Sequence, residues 1–301
     1  MLALTASLSA MAMPQSRPAD ETIYIDPLFE YPVAPDSIST LVGKSEYLVT
    51  HFWEPMDFKS KRAVDQNALN DAFMVFASPM RWADKSVSMK AVDNLFKKLQ
   101  KNPVLTMQFT RAAEENLYGP RAIFWSDELY LRFVDNLLAA KKVPATRKER
   151  YRRQRQLIAN SLEGKQAMPF RYTSPTGNPA DYRPDGVITI IEFGDPECDD
   201  CRMAKLRMET DVTFTDLVDR GIVNVLFIIP DPDEGWQTQL AGFSPKWHVG
   251  ASDTVSDIYD MRSTPSIYVI GREGKILAKN IPYRQAMNLA AAAAKADNNS
   301  K

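Results

Sequence analysis

Two kinds of hydrophobic pattern divide the chain. In the first half the apolar positions recur at the spacing of amphipathic helices, most clearly over residues 89–99 and 128–140. In the second half, short runs rich in β-branched residues and bounded by turn residues predict buried strands, as at 187–191. The pattern therefore predicts an all-helical domain over residues 36–163, followed by an α/β domain over residues 164–297.

The last predicted helix of the first domain begins at a capping-box sequence, Thr146-Arg147-Lys148-Glu149, and runs to about Leu162. The basic run that starts there is expected to form a solvated helix face, because the chain has no basic excess that would attract nucleic acid. His51 and most of the aromatic side chains are expected to lie in the core. Nothing in this domain predicts catalysis.

The N-terminus resembles a secretory signal peptide. Residues 1–12 are apolar and rich in small residues, and they end in Ala10-Met11-Ala12. A merely apolar N-terminus is the alternative, because no basic segment precedes the apolar one. Residues 13–35 are rich in proline and acidic residues and are predicted to be an extended lead-in.

Composition narrows the classes of protein. The chain has 301 residues, 45% of them hydrophobic, which suits two domains. Its formal net charge is −1, so no overall field recruits nucleic acid or acidic lipid, and no nucleic-acid partner is expected. No apolar run is long enough to cross a bilayer, so no transmembrane segment is expected in the mature chain.

The two cysteines form a Cys-x-x-Cys motif where a predicted strand turns into a predicted helix. A Gly-Asp-Pro sequence at 194–196 ends the strand, so Cys198 lies on the turn and Cys201 in the first helical turn. Free N–H groups and the helix dipole favour a thiolate there. A zinc site and an inert structural disulfide are the alternatives. The chain has only two histidines to complete a zinc site, so the motif favours a redox dithiol.

The residues around the dithiol resemble the thioredoxin superfamily in further places. Glu192 lies six residues before Cys198, where thioredoxins carry a buried acid beneath the second cysteine. Thr264-Pro265 resembles the loop that presents the family's cis-proline, and the apolar run at 267–270 resembles the strand that follows it. A turn and a returning strand come next. The order of these elements is much more specific than the dithiol alone.

The resemblance implies a thiol–disulfide oxidoreductase with a central mixed sheet flanked by helices. Cys198 would be the attacking thiolate, Cys201 would resolve the mixed disulfide, and Glu192 would take the proton of Cys201. Thr264 and a cis-Pro265 would hold the substrate backbone. No dissociable cofactor and no metal are implied. The partners would be protein disulfides or dithiols and an electron donor in the membrane or envelope.

Other features are similar to the exported, cytochrome-maturation type of envelope thioredoxin-like protein. A predicted hairpin at 170–178 opens the domain, and an insert of about 30 residues, 231–260, precedes the cis-proline loop. The helical segments resemble an uncharacterised domain found ahead of thioredoxin modules in exported bacterial proteins. With no stray cysteine to mispair, the chain is expected to be periplasmic or otherwise exported. The alternative function is an envelope binding module with a vestigial dithiol.

The motif departs from the thioredoxin pattern in its charge. Thioredoxins usually have Trp before the first cysteine and Gly-Pro between the two, whereas this chain has Glu197 and Asp199-Asp200. Each aspartate carboxylate is expected at about 6 Å from a thiolate, where it disfavours the ionised thiol. The helix dipole acts in the opposite direction but more weakly. Asp199 and Asp200 are therefore predicted to tune thiol ionisation and to make the pair reducing.

Overall fold

The computed structural model of the protein describes residues 27–60, 62–122, 124–240 and 242–298. The predicted signal peptide and most of the predicted extended lead-in lie outside these residues. In the described part of the chain, no helix is both long and apolar enough to cross a membrane.

The helical domain consists of the first six α-helices of the described chain. They are α1 (Leu41–His51), α2 (Gln66–Ala77), α3 (Lys85–Leu99), α4 (Pro103–Leu117), α5 (Asp127–Ala139) and α6 (Ala145–Asn160). Short polar side chains begin several of them. Asp65, Asn102 and Ser126 each accept a hydrogen bond from a first-turn N–H of the helix that follows. These bonds satisfy donors that a helix N-terminus leaves without partners.

Aromatic side chains fill the core between these helices. Trp53 contacts Phe109 edge to face at 4.7 Å between ring centroids, and Phe73 contacts Phe133 at 5.3 Å. Such edge-to-face pairs add to the stabilisation from apolar burial. Most of the aromatic side chains of this domain lie in the core, as expected, whereas Trp82 and Trp125 are 56% and 37% exposed.

The expectations for His51 and for the start of α6 are wrong. His51 is half-buried at the end of α1, and its Nδ1 lies 2.8 Å from a carboxylate oxygen of Glu54. α6 begins at Ala145, and Pro144 occupies the N-cap position with no side-chain cap. The extended backbone of Pro144 starts the helix before Thr146, so the predicted capping box does not form.

The basic face of α6 is only partly solvated. Lys148 is buried, and its ammonium group donates hydrogen bonds to the carbonyls of Leu138 and Ala140 at 2.9 and 2.7 Å. A cation at that position satisfies the last carbonyls of α5 and complements its dipole. Arg150 and Arg153 form ion pairs instead, with Glu114 and Asp257 respectively.

The sheet domain follows, and its described residues form one seven-stranded sheet. The strands are β1 (Phe170–Thr173), β2 (Pro179–Tyr182), β3 (Ile188–Phe193), β4 (Val223–Pro230), β5 (His248–Ser252), β6 (Ser266–Ile270) and β7 (Ile276–Lys279). Their order across the sheet is β2-β1-β5-β4-β3-β6-β7. β3, β4 and β5 are parallel, β6 runs antiparallel to β3, and β7 runs antiparallel to β6. The predicted fold class, a helical domain followed by a mixed sheet flanked by helices, is confirmed.

Strand β3 is central and buried at every position. Its alternate side chains enter two separate cores. Ile190 packs with helices α7 (Asp199–Thr210) and α9 (Tyr283–Asn298) on one face. Ile191 and Phe193 pack on the other face, in a core that includes Phe170 and Tyr259. A shorter helix, α8 (Val212–Asp219), joins α7 to β4.

Strand β5 is not predicted from the sequence. It lies within the predicted insert, residues 231–260, and its sequence, His-Val-Gly-Ala-Ser, has little strand propensity. A Cβ atom at Gly250 would lie 2.4 Å from the carbonyl oxygen of Thr173, so only glycine allows β1 to approach this closely. The close approach of β1 therefore explains why β5 contains Gly250, a residue type that lowers strand propensity.

Candidate active site

A tight turn after β3 brings the dithiol to the C-terminal edge of the central strands. The N–H of Gly194 donates to the carbonyl of Ile228 at 3.1 Å, which extends the pairing with β4 by one residue. A Cβ atom at Gly194 would lie 3.0 Å from Sγ of Cys201 and 3.1 Å from the ring of Phe227. A larger residue here would crowd the second thiol against the strand, so glycine suits this close packing.

Cys198 is the N-cap residue of α7. Its backbone is extended, its N–H donates to the carbonyl of Asp195 at 3.0 Å, and its side chain makes no cap hydrogen bond. The thiol is partly exposed and not disulfide-bonded. It lies at the end of a helix whose first N–H groups and dipole favour negative charge. Cys198 is thus accessible and is positioned to act as a nucleophile.

Cys201 has the opposite environment. It is 1% exposed in the first turn of α7, and burial raises the pKa of its thiol well above the ordinary range. The nearby carboxyl of Glu192 raises this pKa further, while the backbone of Asp195 partly opposes the shift. The second thiol therefore stays protonated until a base removes its proton.

Glu192 provides a buried carboxyl group close to that thiol. It lies on β3 between Phe227 of β4 and Ile267 of β6, and none of its surface is exposed. Burial raises its pKa to about 8. Neither of its carboxylate oxygens has a hydrogen-bond partner among the described residues. A carboxyl group in such a position is neutral at low pH and becomes a base near neutrality.

The loop before β6 completes the site. The Thr264–Pro265 peptide bond is cis, as predicted from the sequence. Sγ of Cys198 lies 3.6 Å from the carbonyl oxygen of Thr264, so the loop contacts the exposed thiol directly. The structure thus brings together Glu192, both cysteines and the Thr264–Pro265 pair.

The two aspartates between the cysteines lie in the first turn of α7, and they are not equivalent. The side chain of Asp199 is 92% exposed and forms an ion pair with the guanidinium of Arg202. A second nitrogen of Arg202 donates to the carbonyl of Glu197 at 2.6 Å. Arg202 is a site residue that the sequence analysis missed, although its spacing of three from Asp199 is typical of helical ion pairs. Among the described residues, no three His, Cys, Asp or Glu side chains gather to hold a metal ion.

Comparison with known proteins identifies the family to which the helical domain corresponds. Residues 5–161, just over half of the chain, match the model of a family described as a domain of unknown function, DUF5106. The chain belongs to this family. The DUF5106 region ends where α6 ends, so it comprises the helical domain and stops before the sheet domain. A comparison with curated proteins finds no match.

Solved structures identify the fold of the sheet domain. The crystal structure of a thioredoxin-like protein from Bacteroides caccae is similar over 89% of this chain and 99% of its own, with a TM-score of 0.73 and 18% identity. The thioredoxin domain of a thiol-disulfide oxidoreductase from Bacteroides vulgatus matches 44% of this chain and 96% of its own, with a TM-score of 0.39 and 21% identity. At 18% identity, the likeness to the Bacteroides caccae protein shows fold alone. The sheet domain is thioredoxin-like, as predicted.

Proposed function

We propose that this protein is an exported thiol–disulfide oxidoreductase that reduces disulfide bonds in partner proteins. The contrast between its two thiols is the observation that carries the proposal. Cys198 is accessible and lies 3.6 Å from the carbonyl that precedes the cis-proline, whereas Cys201 is buried near a carboxyl group that has no hydrogen-bond partner among the described residues. This contrast supports an attacking role for Cys198 and a resolving role for Cys201.

The first step is attack by the Cys198 thiolate on one sulfur of a partner disulfide. A mixed disulfide forms, and the other sulfur of the partner leaves as a thiolate. Thr264 and Pro265 border the reacting thiol and hold the backbone of the partner beside it. Two electrons remain on the departing sulfur, which takes its proton from solvent.

The second step is attack by Cys201 on Sγ of Cys198. Because burial raises the pKa of Cys201, the thiol must first lose its proton, and Glu192 is the nearby acceptor. The partner's second thiolate is released, and a Cys198–Cys201 disulfide remains. The partner has gained two electrons and two protons, and the protein has lost them.

The direction of electron flow follows from the charge of the motif. Asp199 and Asp200 add negative charge where the thiolate forms, which disfavours the reduced state and makes the pair a better reductant. A dithiol donor in the membrane or envelope then re-reduces the protein. Export is proposed from the signal-like pattern at residues 1–12 and from the absence of further cysteines in the sequence.

Trapping of partners tests the proposal. Replacing Cys201 with Ser removes the resolving thiol, so partner proteins should accumulate as mixed disulfides with Cys198 that a reductant releases. The variant that lacks both cysteines is the matched control and should trap nothing. Equal recovery from both variants, or a wild-type dithiol that stays in one redox state in cells, would instead support a binding module with a vestigial dithiol.

A further inference from the structure

A buried charge cluster joins the helical domain to the loop that carries the cis-proline. It consists of Asp127, the first residue of α5, together with Asp260, Arg262 and Lys279 of the sheet domain. The side chains are 19%, 0%, 2% and 7% exposed, in that order. None of these residues belongs to the dithiol motif, and none has a role in the steps described above.

Each of the two cations in the charge cluster contacts both carboxylates. Arg262 forms ion pairs with Asp127 and Asp260, the latter at 2.6 Å. The ammonium of Lys279 lies 2.9 Å from Asp127 and 2.6 Å from Asp260. Burial alone would raise the pKa of Asp260, but Arg262 and Lys279 together lower it. The carboxylate of Asp260 is therefore ionised at neutral pH.

The charge balance of the cluster depends on the helical domain. Within the sheet domain the cluster has two cations, Arg262 and Lys279, and one carboxylate, Asp260. The second carboxylate comes from Asp127. Without it, the buried site would carry an excess positive charge, which a low-dielectric environment strongly disfavours. The buried position of Arg262 thus requires a group from the other domain.

Aromatic side chains of the helical domain enclose the same guanidinium. The ring of Tyr118 lies 4.5 Å and that of Trp125 lies 5.8 Å from the guanidinium carbon of Arg262. Both rings are themselves held: the hydroxyl of Tyr118 donates to Asp260 at 2.9 Å, and the indole N–H of Trp125 donates to the carbonyl of Gly119 at 2.9 Å. Charge and shape both fix Arg262 against the helical domain.

Arg262 is directly connected to the dithiol site. It precedes Thr264 by two residues, and the carbonyl of Thr264 contacts Sγ of Cys198. We infer that the helical domain positions the cis-proline loop for partner polypeptides, with Asp127 acting through Arg262. The inference rests on the proposed function. Asp127 is then a positioning residue, and its loss should affect substrates that dock on the loop much more than substrates that only need a reachable thiol.

The test compares two disulfide substrates in single turnover of the pre-reduced full chain. Insulin presents polypeptide to the loop, whereas 5,5′-dithiobis(2-nitrobenzoic acid) is small and needs no such docking. Asp127→Asn should slow the reaction with insulin on the order of tenfold, because displaced docking groups cost rate without altering the nucleophile. The reaction with the small disulfide should be unchanged. Asp127→Glu should restore part of the rate with insulin.

Glu128→Gln is the matched control. It removes a carboxylate from the same first turn of α5, but Glu128 pairs with Lys85 at the surface. It should change neither reaction. Arg262→Lys, which keeps the charge but loses the forked guanidinium, is the second variant if Asp127→Asn lowers the folded fraction. It should show the same substrate dependence.

The outcomes separate this inference from the proposed function. If the wild-type protein is active and Asp127→Asn either matches it on both substrates or slows both equally, the helical domain does not position the loop. In that case the proposed function stands. If the wild-type protein reduces neither disulfide, the proposed function fails and the inference fails with it.

Discussion

Two buried carboxylates in the sheet domain have opposite environments. Asp260 is enclosed by Arg262, Lys279 and the hydroxyl of Tyr118, and its pKa is lowered in spite of burial. Glu192 is equally buried, but it has no hydrogen-bond partner among the described residues and its pKa is raised to about 8. The same functional group is therefore held permanently charged at one site and left able to gain or lose a proton at the other.

The difference distinguishes a structural site from a chemical one. A carboxylate with two cationic partners is fixed in charge and position, which suits the junction between two domains. A carboxyl group without partners destabilises the fold when it is ionised, and such a group persists where proton transfer requires it. Burial alone would not reveal which site is which. The ionic and hydrogen-bond partners of each carboxyl group distinguish the structural site from the chemical one.

The largest expected effect comes from breaking the paired site. Asp260→Asn keeps the shape of the side chain but leaves Arg262 and Lys279 with only Asp127 between them. We expect the free energy of unfolding to fall by roughly 3–5 kcal/mol at pH 7, the usual cost of removing one partner from a buried pair. Urea unfolding of the reduced protein measures it.

The control for this variant is an exposed ion pair on the same domain. Asp181→Asn removes the partner of Arg171 on the outer strands, where the side chains of Arg171 and Asp181 are 75% and 44% exposed. Such pairs contribute about 0–1 kcal/mol, so this variant should unfold close to the wild type. Similar losses from both variants would show that the Asp260 site is not a low-dielectric environment.

The next largest effect comes from replacing Glu192, the buried carboxyl group that has no hydrogen-bond partner among the described residues. The pKa of Glu192 is about 8 in the folded protein and about 4.3 in an unfolded chain, so the folded state binds the proton more tightly. The protonated carboxyl of Glu192 therefore contributes stability to the fold. This contribution is fully present below about pH 4 and is lost as the pH rises to 8. The linkage relation gives a loss of roughly 3.5 kcal/mol between pH 5 and pH 8.

Glu192→Gln should remove that pH dependence. The variant should match the wild type near pH 5 and be more stable at pH 8 and above, when both are reduced and unfolded in urea at each pH. Parallel stability profiles for the two proteins would mean that the carboxyl of Glu192 is already ionised at pH 5, and the contrast with Asp260 would disappear.

The same variant should also slow the resolving step. Mixing reduced protein with excess 5,5′-dithiobis(2-nitrobenzoic acid) releases one chromophore when Cys198 attacks and a second when Cys201 resolves. Glu192→Gln should leave the first phase unchanged and slow the second on the order of a hundredfold, the low end of what a positioned base contributes. In the wild type the second phase should accelerate up to about pH 8. Equal second phases would exclude Glu192 as the proton acceptor.

The sequence predicts one of these two buried sites and misses the other. Glu192 could be found because it lies on the strand that leads into the Cys-x-x-Cys motif, at a spacing that the thioredoxin resemblance makes meaningful. Asp127, Asp260, Arg262 and Lys279 come from separate elements of the two domains, and no local pattern brings them together. A cluster of this kind exists only after the domains have packed.

Local rules of the sequence succeed and fail for similar reasons. The central strands are predicted because their apolar runs are buried on both faces. β5 is missed because close packing against β1 requires Gly250, which weakens its own strand pattern. The start of α6 is misplaced because Pro144 ends the preceding loop with an extended backbone that already suits the residue before a helix.

The smallest expected effect concerns an exposed site, where charges are paired but hydrated. The sequence predicts that Asp199 and Asp200 together make the dithiol reducing, with neutralisation of both raising the redox potential on the order of 10–40 mV. The ion pair between Asp199 and Arg202 divides that effect unequally. Asp200→Asn should therefore make the potential less negative by more than Asp199→Asn does. Arg202→Gln should shift it in the opposite direction, since it leaves the charge of Asp199 uncompensated. Redox titration of the three variants against glutathione measures each shift.

Equal shifts for the two aspartates would mean that the ion pair has no effect in solution. Unchanged or more negative potentials for both would mean that neither carboxylate acts on the thiols, and the role as a reductant would lose its electrostatic basis.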